Sequence, residues 1–98
     1  MEGAIIMGLS AALGEAIALA DGGVSTSNFD TYPLLRISAA PRIEVHIVKS
    51  GEKLGGIGEP GLPPIAPAVA NAVFQATGTR LRRLPMSPET VKAALKKI

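Results

Sequence analysis

The stretch from Ser50 to Pro64 constrains the fold of this 98-residue chain most strongly, because it holds five Gly and three Pro in fifteen residues. Neither a helix interior nor a central strand tolerates that density of Gly and Pro. The stretch therefore predicts a long loop that divides the chain in two. Loops of this length are usually functional or disordered, and the apolar residues Leu54, Ile57 and Leu62 favour an ordered loop.

Before the loop, apolar residues recur at steps of three and four, at Ile6, Leu9, Leu13 and Ile17, which predicts a helix over residues 2–19. Three glycines interrupt this pattern, and each costs a helix up to about 1 kcal/mol relative to Ala. Their presence indicates that another part of the backbone passes close to the helix. The sequence Asp-Gly-Gly at residues 21–23 is expected to end the helix and turn the chain.

After the loop, two further helices are predicted. The first covers residues 64–76, since Pro67 fits its first turn and Gly78 fits its C-cap. The second covers residues 88–97, with Ser87 as the N-cap and an acidic residue in the first turn.

Two strands are predicted between the first helix and the loop. Residues 42–49 show the clearest alternation, with Ile43, Val45 and Ile47 on one face, and residues 24–29 form a shorter candidate. The expected fold class is α+β: two longer helices packed on a small sheet of two or more strands, plus a C-terminal helix, in a single unit over residues 1–98.

One side chain in the loop is a candidate catalytic group. Glu59 lies between Gly58 and Pro60, so glycine allows close approach of another molecule while proline fixes the chain just after the carboxylate. A solvated surface turn is the alternative interpretation. The spacing of glycines also matches a dinucleotide fingerprint, which we reject because an acid and a proline sit where phosphate needs free N–H donors.

Composition excludes several other functions. The chain has no Cys and one His, so we expect neither a disulfide nor a metal site made by this chain alone. A net charge of +2, with the basic residues clustered late in the chain, does not favour nucleic acid binding. The apolar N-terminal segment carries Glu2 and Glu15, so a membrane span is not expected.

Three motifs, in order, resemble one enzyme family. Residues 1–9 resemble its Q-x-E-G-x-x-x-x-G-L segment without the Gln, residues 28–36 resemble its N-F-x-x-Y-P-L-x-R stretch, and residues 58–61 resemble its G-E-P loop. The order and approximate spacing agree over most of the chain. The sequence is thus similar to the C-terminal segment of the molybdopterin-binding large subunit of the xanthine dehydrogenase and aldehyde oxidase family. It is most similar to the isoquinoline 1-oxidoreductase beta-subunit branch.

The resemblance implies a molybdenum hydroxylase that hydroxylates an N-heteroaromatic ring or an aldehyde with oxygen derived from water. It implies that Glu59 is the general base and that Gly58 supports the loop beside the molybdopterin cofactor. The implied partners are the remainder of the large subunit, an iron-sulfur electron-transfer subunit and a small aromatic or aldehyde substrate.

The resemblance also has a gap, since the chain begins one residue after the position of the family's cofactor-contacting Gln. We therefore expect these residues alone to bind no molybdopterin and to show no turnover. Two other hypotheses stay open: a stand-alone protein-interaction module, and an anion- or nucleic-acid-binding domain that uses Arg80, Arg82 and Arg83.

Overall fold

Three α-helices, one short 3-10 helix and one small antiparallel sheet make up the secondary structure of residues 1–96, the part of the chain that this computed structural model describes. In chain order the elements are α1 (Glu2–Leu13), β1 (Leu19–Ala20), β2 (Gly23–Val24), a 3-10 helix (Ile37–Ala39), α2 (Ile65–Thr77) and α3 (Pro88–Leu95). The predicted α+β class is confirmed.

Helix α1 ends at Leu13, six residues earlier than predicted. A continuing helix would use the carbonyl of Ala12 to accept from the N–H four residues later. The N–H of Met86 donates to that carbonyl instead, at 2.7 Å. Gly14 follows as the C-cap residue, and its N–H donates to the carbonyl of Ser10. A contact from the far end of the chain thus ends the helix.

The turn at Asp21 and Gly22 closes a hairpin rather than ending a helix. Both residues have positive φ angles, 52° and 78°, as a two-residue type I′ turn requires. In this hairpin β1 pairs antiparallel with β2, with Leu19 opposite Val24. The prediction of a turn at these residues is therefore correct, but the turn joins two strands and does not end a helix.

Two predicted strands are wrong in extent or in kind. Of residues 24–29, only Val24 is in a strand, because the side chains of Asn28 and Thr31 bind nearby backbone N–H groups and form turns instead. Residues 42–49 contain no strand. Alternating residues favour an extended backbone, but a strand also needs a neighbour, and the strands of residues 1–96 have only two residues each.

The helices after the loop are confirmed within one or two residues. Gly78 caps α2 with a φ of 74°, and its N–H donates to the carbonyl of Phe74 at 2.7 Å. Ser87 caps α3, where its hydroxyl oxygen accepts from the N–H of Thr90. The predicted end of this helix at residue 97 lies outside the described residues. Across residues 1–96, no helix combines the length and apolar character that a bilayer span needs.

The core lies between the helices, since all four strand residues are exposed. Its centre is Ala12, Leu81 and Met86, which are 1%, 7% and 3% exposed. Apolar residues of α2 and α3 pack around this centre: Ala66, Val69, Ala70, Val73, Val91 and Ala94. The small side chains let the helices approach closely but bury little area, so few residues carry the stability of the fold.

We expect Leu81→Ala to lower the free energy of unfolding by about 2 kcal/mol or more, since it removes buried methyl groups and leaves a cavity. Leu54→Ala is the matched control, because Leu54 is fully exposed and its truncation should change stability by less than about 0.5 kcal/mol. Urea denaturation followed by circular dichroism measures both. Equal effects of the two substitutions on the free energy of unfolding would contradict the assignment of Leu81 to the buried core.

Candidate functional site in the glycine- and proline-rich loop

The segment that carries Glu59 is an ordered turn leading into α2. The N–H of Leu62 donates to the carbonyl of Glu59 at 2.9 Å, which closes a four-residue turn with Pro60 in its second position, where proline is favoured. The N–H of Ile65 then donates to the carbonyl of Leu62 at 3.2 Å. Two successive hydrogen bonds therefore fix the backbone from Glu59 to the start of α2.

Gly61 packs this turn against the start of α1. Gly61 is buried, and a Cβ atom built on it would lie 2.9 Å from Sδ of Met1, 3.2 Å from Cγ1 of Ile5 and 3.3 Å from the Met1 carbonyl oxygen. A side chain at this position would require the Met1 side chain to move and Ile5 and the Met1 carbonyl to shift slightly. The loop thus touches α1 two residues after Glu59.

Gly8 makes the reciprocal contact from the side of α1. A Cβ atom there would lie 2.8 Å from the carbonyl oxygen of Leu62 and 3.1 Å from Cβ of Ile65. The expectation that a second backbone passes close to the helix glycines is confirmed at Gly8. It is wrong at Gly3 and Gly14, where nothing lies within 4 Å.

The Glu59 carboxylate itself is exposed, and within residues 1–96 it makes neither a hydrogen bond nor an ion pair. Its backbone is fixed while its side chain stays free to meet a molecule arriving from solvent. Gly58 has open space where a side chain would be, so a bound group or another chain could come close to the backbone there. This arrangement can offer one carboxylate as a proton acceptor or a hydrogen-bond acceptor.

The described residues do not by themselves form a molybdopterin site around Glu59. No side chain of residues 1–96 is bonded to its carboxylate, and the position of a Cβ on Gly58 is open rather than filled. A cavity of about 810 Å³ lies elsewhere, lined by Ala16, residues 79–85 and one side of α3.

The stretch over residues 28–36 is anchored to the same helix region as the loop. The hydroxyl of Tyr32 donates to Oε1 of Glu15 at 3.0 Å, and the N–H of Leu35 donates to Oγ of the buried Ser10 at 2.9 Å. All three motifs therefore meet at α1 and the residues that follow it. Glu15 thus accepts one of the two hydrogen bonds that hold this stretch.

Sequence reasoning missed the anchoring residues Ser10 and Gly61. Ser10 falls inside an apolar helix stripe, where a buried hydroxyl with a distant partner leaves no local signal. For Gly61 the sequence predicts only a place in an ordered loop, without a contact of its own. Gly8 of α1 could have pointed to this contact. A glycine destabilises a helix interior, so its presence there suggests that another backbone segment packs against it.

The remaining candidates do not converge on Glu59. His46 lies beside Glu44, with 3.9 Å between Nε2 and Oε2, and Glu44 pairs with Arg42 at 2.8 Å on an exposed segment. Over residues 1–96, no three His, Asp or Glu side chains are close enough to hold a metal ion. Glu59 is thus the one sequence-predicted catalytic group of the loop, and the structure adds the contacts that position it.

We expect Gly8→Ala to separate α1 from the loop and lower the free energy of unfolding by about 1–3 kcal/mol, because the new methyl group would collide with the Leu62 carbonyl. Gly3→Ala in the same helix meets nothing within 4 Å and should be neutral or stabilising, by up to about 1 kcal/mol. Thermal unfolding of both variants measures the difference. A stable Gly8→Ala protein would contradict the close backbone contact.

Tyr32, the single tyrosine of the chain, provides a pH-dependent test of its anchor. The hydrogen bond to Glu15 is the main cause that raises the pKa of Tyr32 above its usual 10.0. The raised pKa stabilises the fold below pH 10, and this contribution is lost as the pH rises through the folded-state pKa. Ultraviolet titration of the phenolate should show that Glu15→Gln lowers the pKa toward its usual value. An unchanged titration midpoint would argue against this hydrogen bond.

Comparison with known proteins gives relatives over nearly the whole chain, although no family model matches it. The chain is 48% identical over 88 residues to the isoquinoline 1-oxidoreductase subunit beta of Brevundimonas diminuta, covering 90% of this chain and 11% of that protein. It is 40% identical over 94 residues to the membrane-bound aldehyde dehydrogenase [pyrroloquinoline-quinone] of Gluconacetobacter polyoxogenes, covering 96% of this chain and 12% of that protein.

A third relative carries the metal in its name. The chain is 36% identical over 93 residues to the aldehyde oxidoreductase molybdenum-binding subunit of Escherichia coli, covering 87% of this chain and 13% of that protein. The chain therefore spans about a tenth of the length of these relatives. The predicted resemblance is confirmed: this chain is homologous to one segment of the isoquinoline 1-oxidoreductase, aldehyde oxidoreductase and xanthine dehydrogenase family of molybdenum-binding subunits.

Proposed function

We propose that this chain is part of a molybdenum-dependent oxidoreductase subunit and supplies its general base, Glu59. One observation carries the proposal: the loop that presents Glu59 is fastened to α1 by glycine contacts at Gly8 and Gly61, while the carboxylate faces outward. Homology to an oxidoreductase subunit over 90% of the chain supports the proposal.

The role of Glu59 in this proposal is to accept a proton. A general base must be held within hydrogen-bond distance of the proton that it removes. The turn from Glu59 to Leu62 holds the backbone, and the open space at Gly58 lets the reaction centre come close. In this proposal Glu59 would accept the proton of the water-derived oxygen while a new C–O bond replaces a C–H bond at an electron-poor carbon of the substrate. The cofactor held by the remainder of the subunit would take up the hydrogen of that bond with its two electrons.

The reaction we infer is hydroxylation of an N-heteroaromatic ring or an aldehyde. Water supplies the oxygen, and two electrons leave the substrate for an iron-sulfur partner subunit. The names of the relatives support both substrate classes, since one is named for isoquinoline and others for aldehydes. In this proposal a molybdenum cofactor held by the remainder of the subunit supplies the oxidation, and Gly58 supports the loop beside it.

The cofactor can be tested separately, because the names of the relatives differ on it. One name specifies molybdenum and another specifies pyrroloquinoline quinone. Metal analysis of the purified full-length subunit should find molybdenum in proportion to active sites. A quinone cofactor without molybdenum would contradict the proposal while leaving the homology intact.

A second hypothesis is a stand-alone protein-interaction module without catalysis. The exposed apolar side chains of Ile47, Val48 and Leu54 favour contact with another protein surface. A reading frame that continues upstream of Met1 would support the enzyme hypothesis. A separately encoded 98-residue chain that binds a defined partner would support the module.

We expect Glu59→Gln in the full-length subunit to lower hydroxylation at least about 100-fold, since glutamine cannot accept the proton. Molybdenum content should stay unchanged. The control is Glu52→Gln, another exposed carboxylate on the same loop, which should leave turnover unaltered. Steady-state kinetics with an aldehyde or N-heteroaromatic substrate measures the effect, and normal turnover by Glu59→Gln would remove Glu59 from the mechanism.

The 98-residue chain alone should neither bind molybdopterin nor turn over substrate, because its residues do not enclose the loop. Mixing the chain with purified cofactor and measuring retention by gel filtration tests this expectation. Tight binding would show that the cofactor site is present in this chain.

A further inference from the structure

The cavity of about 810 Å³ is separate from the loop that carries Glu59. Its lining comes from residues 79–85, from one side of α3 and from Ala16, and it includes no residue of the loop over residues 50–64. Volumes of several hundred Å³ are typical of small-molecule sites. The cavity therefore has room for a ligand of its own, whatever the function of Glu59.

The lining of this cavity carries an excess of positive charge. Arg80, Arg82 and Arg83 contribute three guanidinium groups, and all three side chains are exposed. Glu89 is the one acidic residue of the lining, and within residues 1–96 it forms no ion pair with them. Three arginines against one glutamate leave two positive charges that the described residues do not neutralise.

The side chain of Arg80 is held in place before any ligand binds. Its guanidinium carbon lies 4.1 Å from the centre of the Phe74 ring, and its Nη1 donates to Oδ1 of Asn71 at 2.7 Å. Asn71 and Phe74 are three residues apart on α2, so one face of that helix positions the guanidinium group. An arginine has five N–H donors, and the bond to Asn71 uses one of them. The other donors can bind an anion with little further loss of side-chain entropy.

A second polar group of the lining lacks a partner. Oγ1 of Thr79 is buried and makes no hydrogen bond within residues 1–96. Most buried side-chain polar atoms in folded proteins have at least one hydrogen-bond partner. A ligand oxygen in the cavity would provide one for Thr79. This observation is independent of the charge of the arginines.

We propose that the cavity binds a small phosphate-bearing molecule, whose phosphate oxygens accept from Arg80, Arg82 and Arg83 and from the hydroxyl of Thr79. A phosphate monoester carries about 1.5 to 2 negative charges at neutral pH, which matches the excess charge of the lining. The planar fork of a guanidinium group suits the bidentate binding of phosphate. The cavity is much larger than a phosphate group, so it also accommodates an organic part.

Nucleic acid fits this cavity less well than a small phosphate ester. Single-stranded binding sites combine positive charge with aromatic rings on which the bases stack. None of the residues that line the cavity is aromatic, and the nearby Phe74 ring is already stacked with Arg80. The charge is confined to the cavity lining, which favours a compact ligand.

Binding can be measured with phenyl phosphate by ³¹P NMR titration at constant ionic strength. We expect one saturable site per chain, and Arg80→Gln and Arg82→Gln should each weaken binding about 10-fold, since each removes a charge-assisted hydrogen-bond donor. The control is Arg42→Gln, which removes an exposed arginine outside the cavity and should leave the affinity unchanged. An equal loss of affinity in the control, or no saturable binding, would overturn the proposal.

Two further substitutions test the charge and the hydroxyl separately. Glu89→Gln removes the negative charge of the lining and should tighten binding several-fold. Thr79→Val removes the hydroxyl at nearly constant shape and should weaken binding several-fold without lowering the thermal midpoint, because the hydroxyl has no partner within residues 1–96. Unchanged affinity in both variants would contradict the assignment of this cavity.

The class of ligand has its own controls. Inorganic phosphate should bind more weakly than phenyl phosphate, and equal affinities would overturn the assignment of an organic ligand. An oligonucleotide that displaces phenyl phosphate with a steep dependence on salt would identify nucleic acid as the ligand and refute the proposal.

Circular dichroism melts establish that each variant is folded. If the 98-residue chain does not fold alone, the same titration of the full-length subunit and its variants decides the matter. Identical binding by the unmodified subunit and by Arg80→Gln and Arg82→Gln would then overturn the proposal. The outcome does not depend on turnover by Glu59→Gln, because the cavity and the loop share no residue.

Discussion

The contact between the backbone of α1 at Gly8 and the carbonyl of Leu62 is the constraint on which the rest of this structure depends. Any side chain at residue 8 would occupy the space of that carbonyl, so the helix and the loop can be neighbours only through glycine. Gly61 repeats the arrangement from the other side, against Met1 and Ile5. Because Glu59 lies two residues before Gly61, the position of its backbone depends on α1, although the two are more than fifty residues apart.

Features with local causes were predictable from the sequence, and features with distant causes were not. Helix α3 begins where Ser87 caps it, and α2 ends where Gly78 caps it, since each signal acts within a few residues. The end of α1 was mispredicted because the competing group is the N–H of Met86, which no local pattern near Ala12 reveals. The loop shows the same dependence on distant contacts. Its composition identifies Glu59 as a candidate, but it does not predict which glycine of α1 packs against the loop.

The segment at residues 42–49 shows a different kind of limit. Its alternation described the two faces correctly, as the contacts of Glu44 with Arg42 and His46 show. A β-strand nevertheless needs a second strand to pair with, and residues 1–96 contain no partner strand for this segment. The aligned segments make up about a tenth of much longer relatives, and within residues 1–96 the apolar side chains of Ile47 and Val48 stay exposed.

The hydrogen bond between Met86 and Ala12 also sets an order of events during synthesis. It joins residues more than seventy positions apart, so α1 leaves the ribosome well before the group that ends it has been made. At roughly 5–20 residues per second, the nascent helix waits several seconds without its core partners Leu81 and Met86. A short helix with internal glycines is marginal in water on its own. Translation speed over the intervening residues therefore decides how long an unprotected apolar segment is available to chaperones or to aggregation.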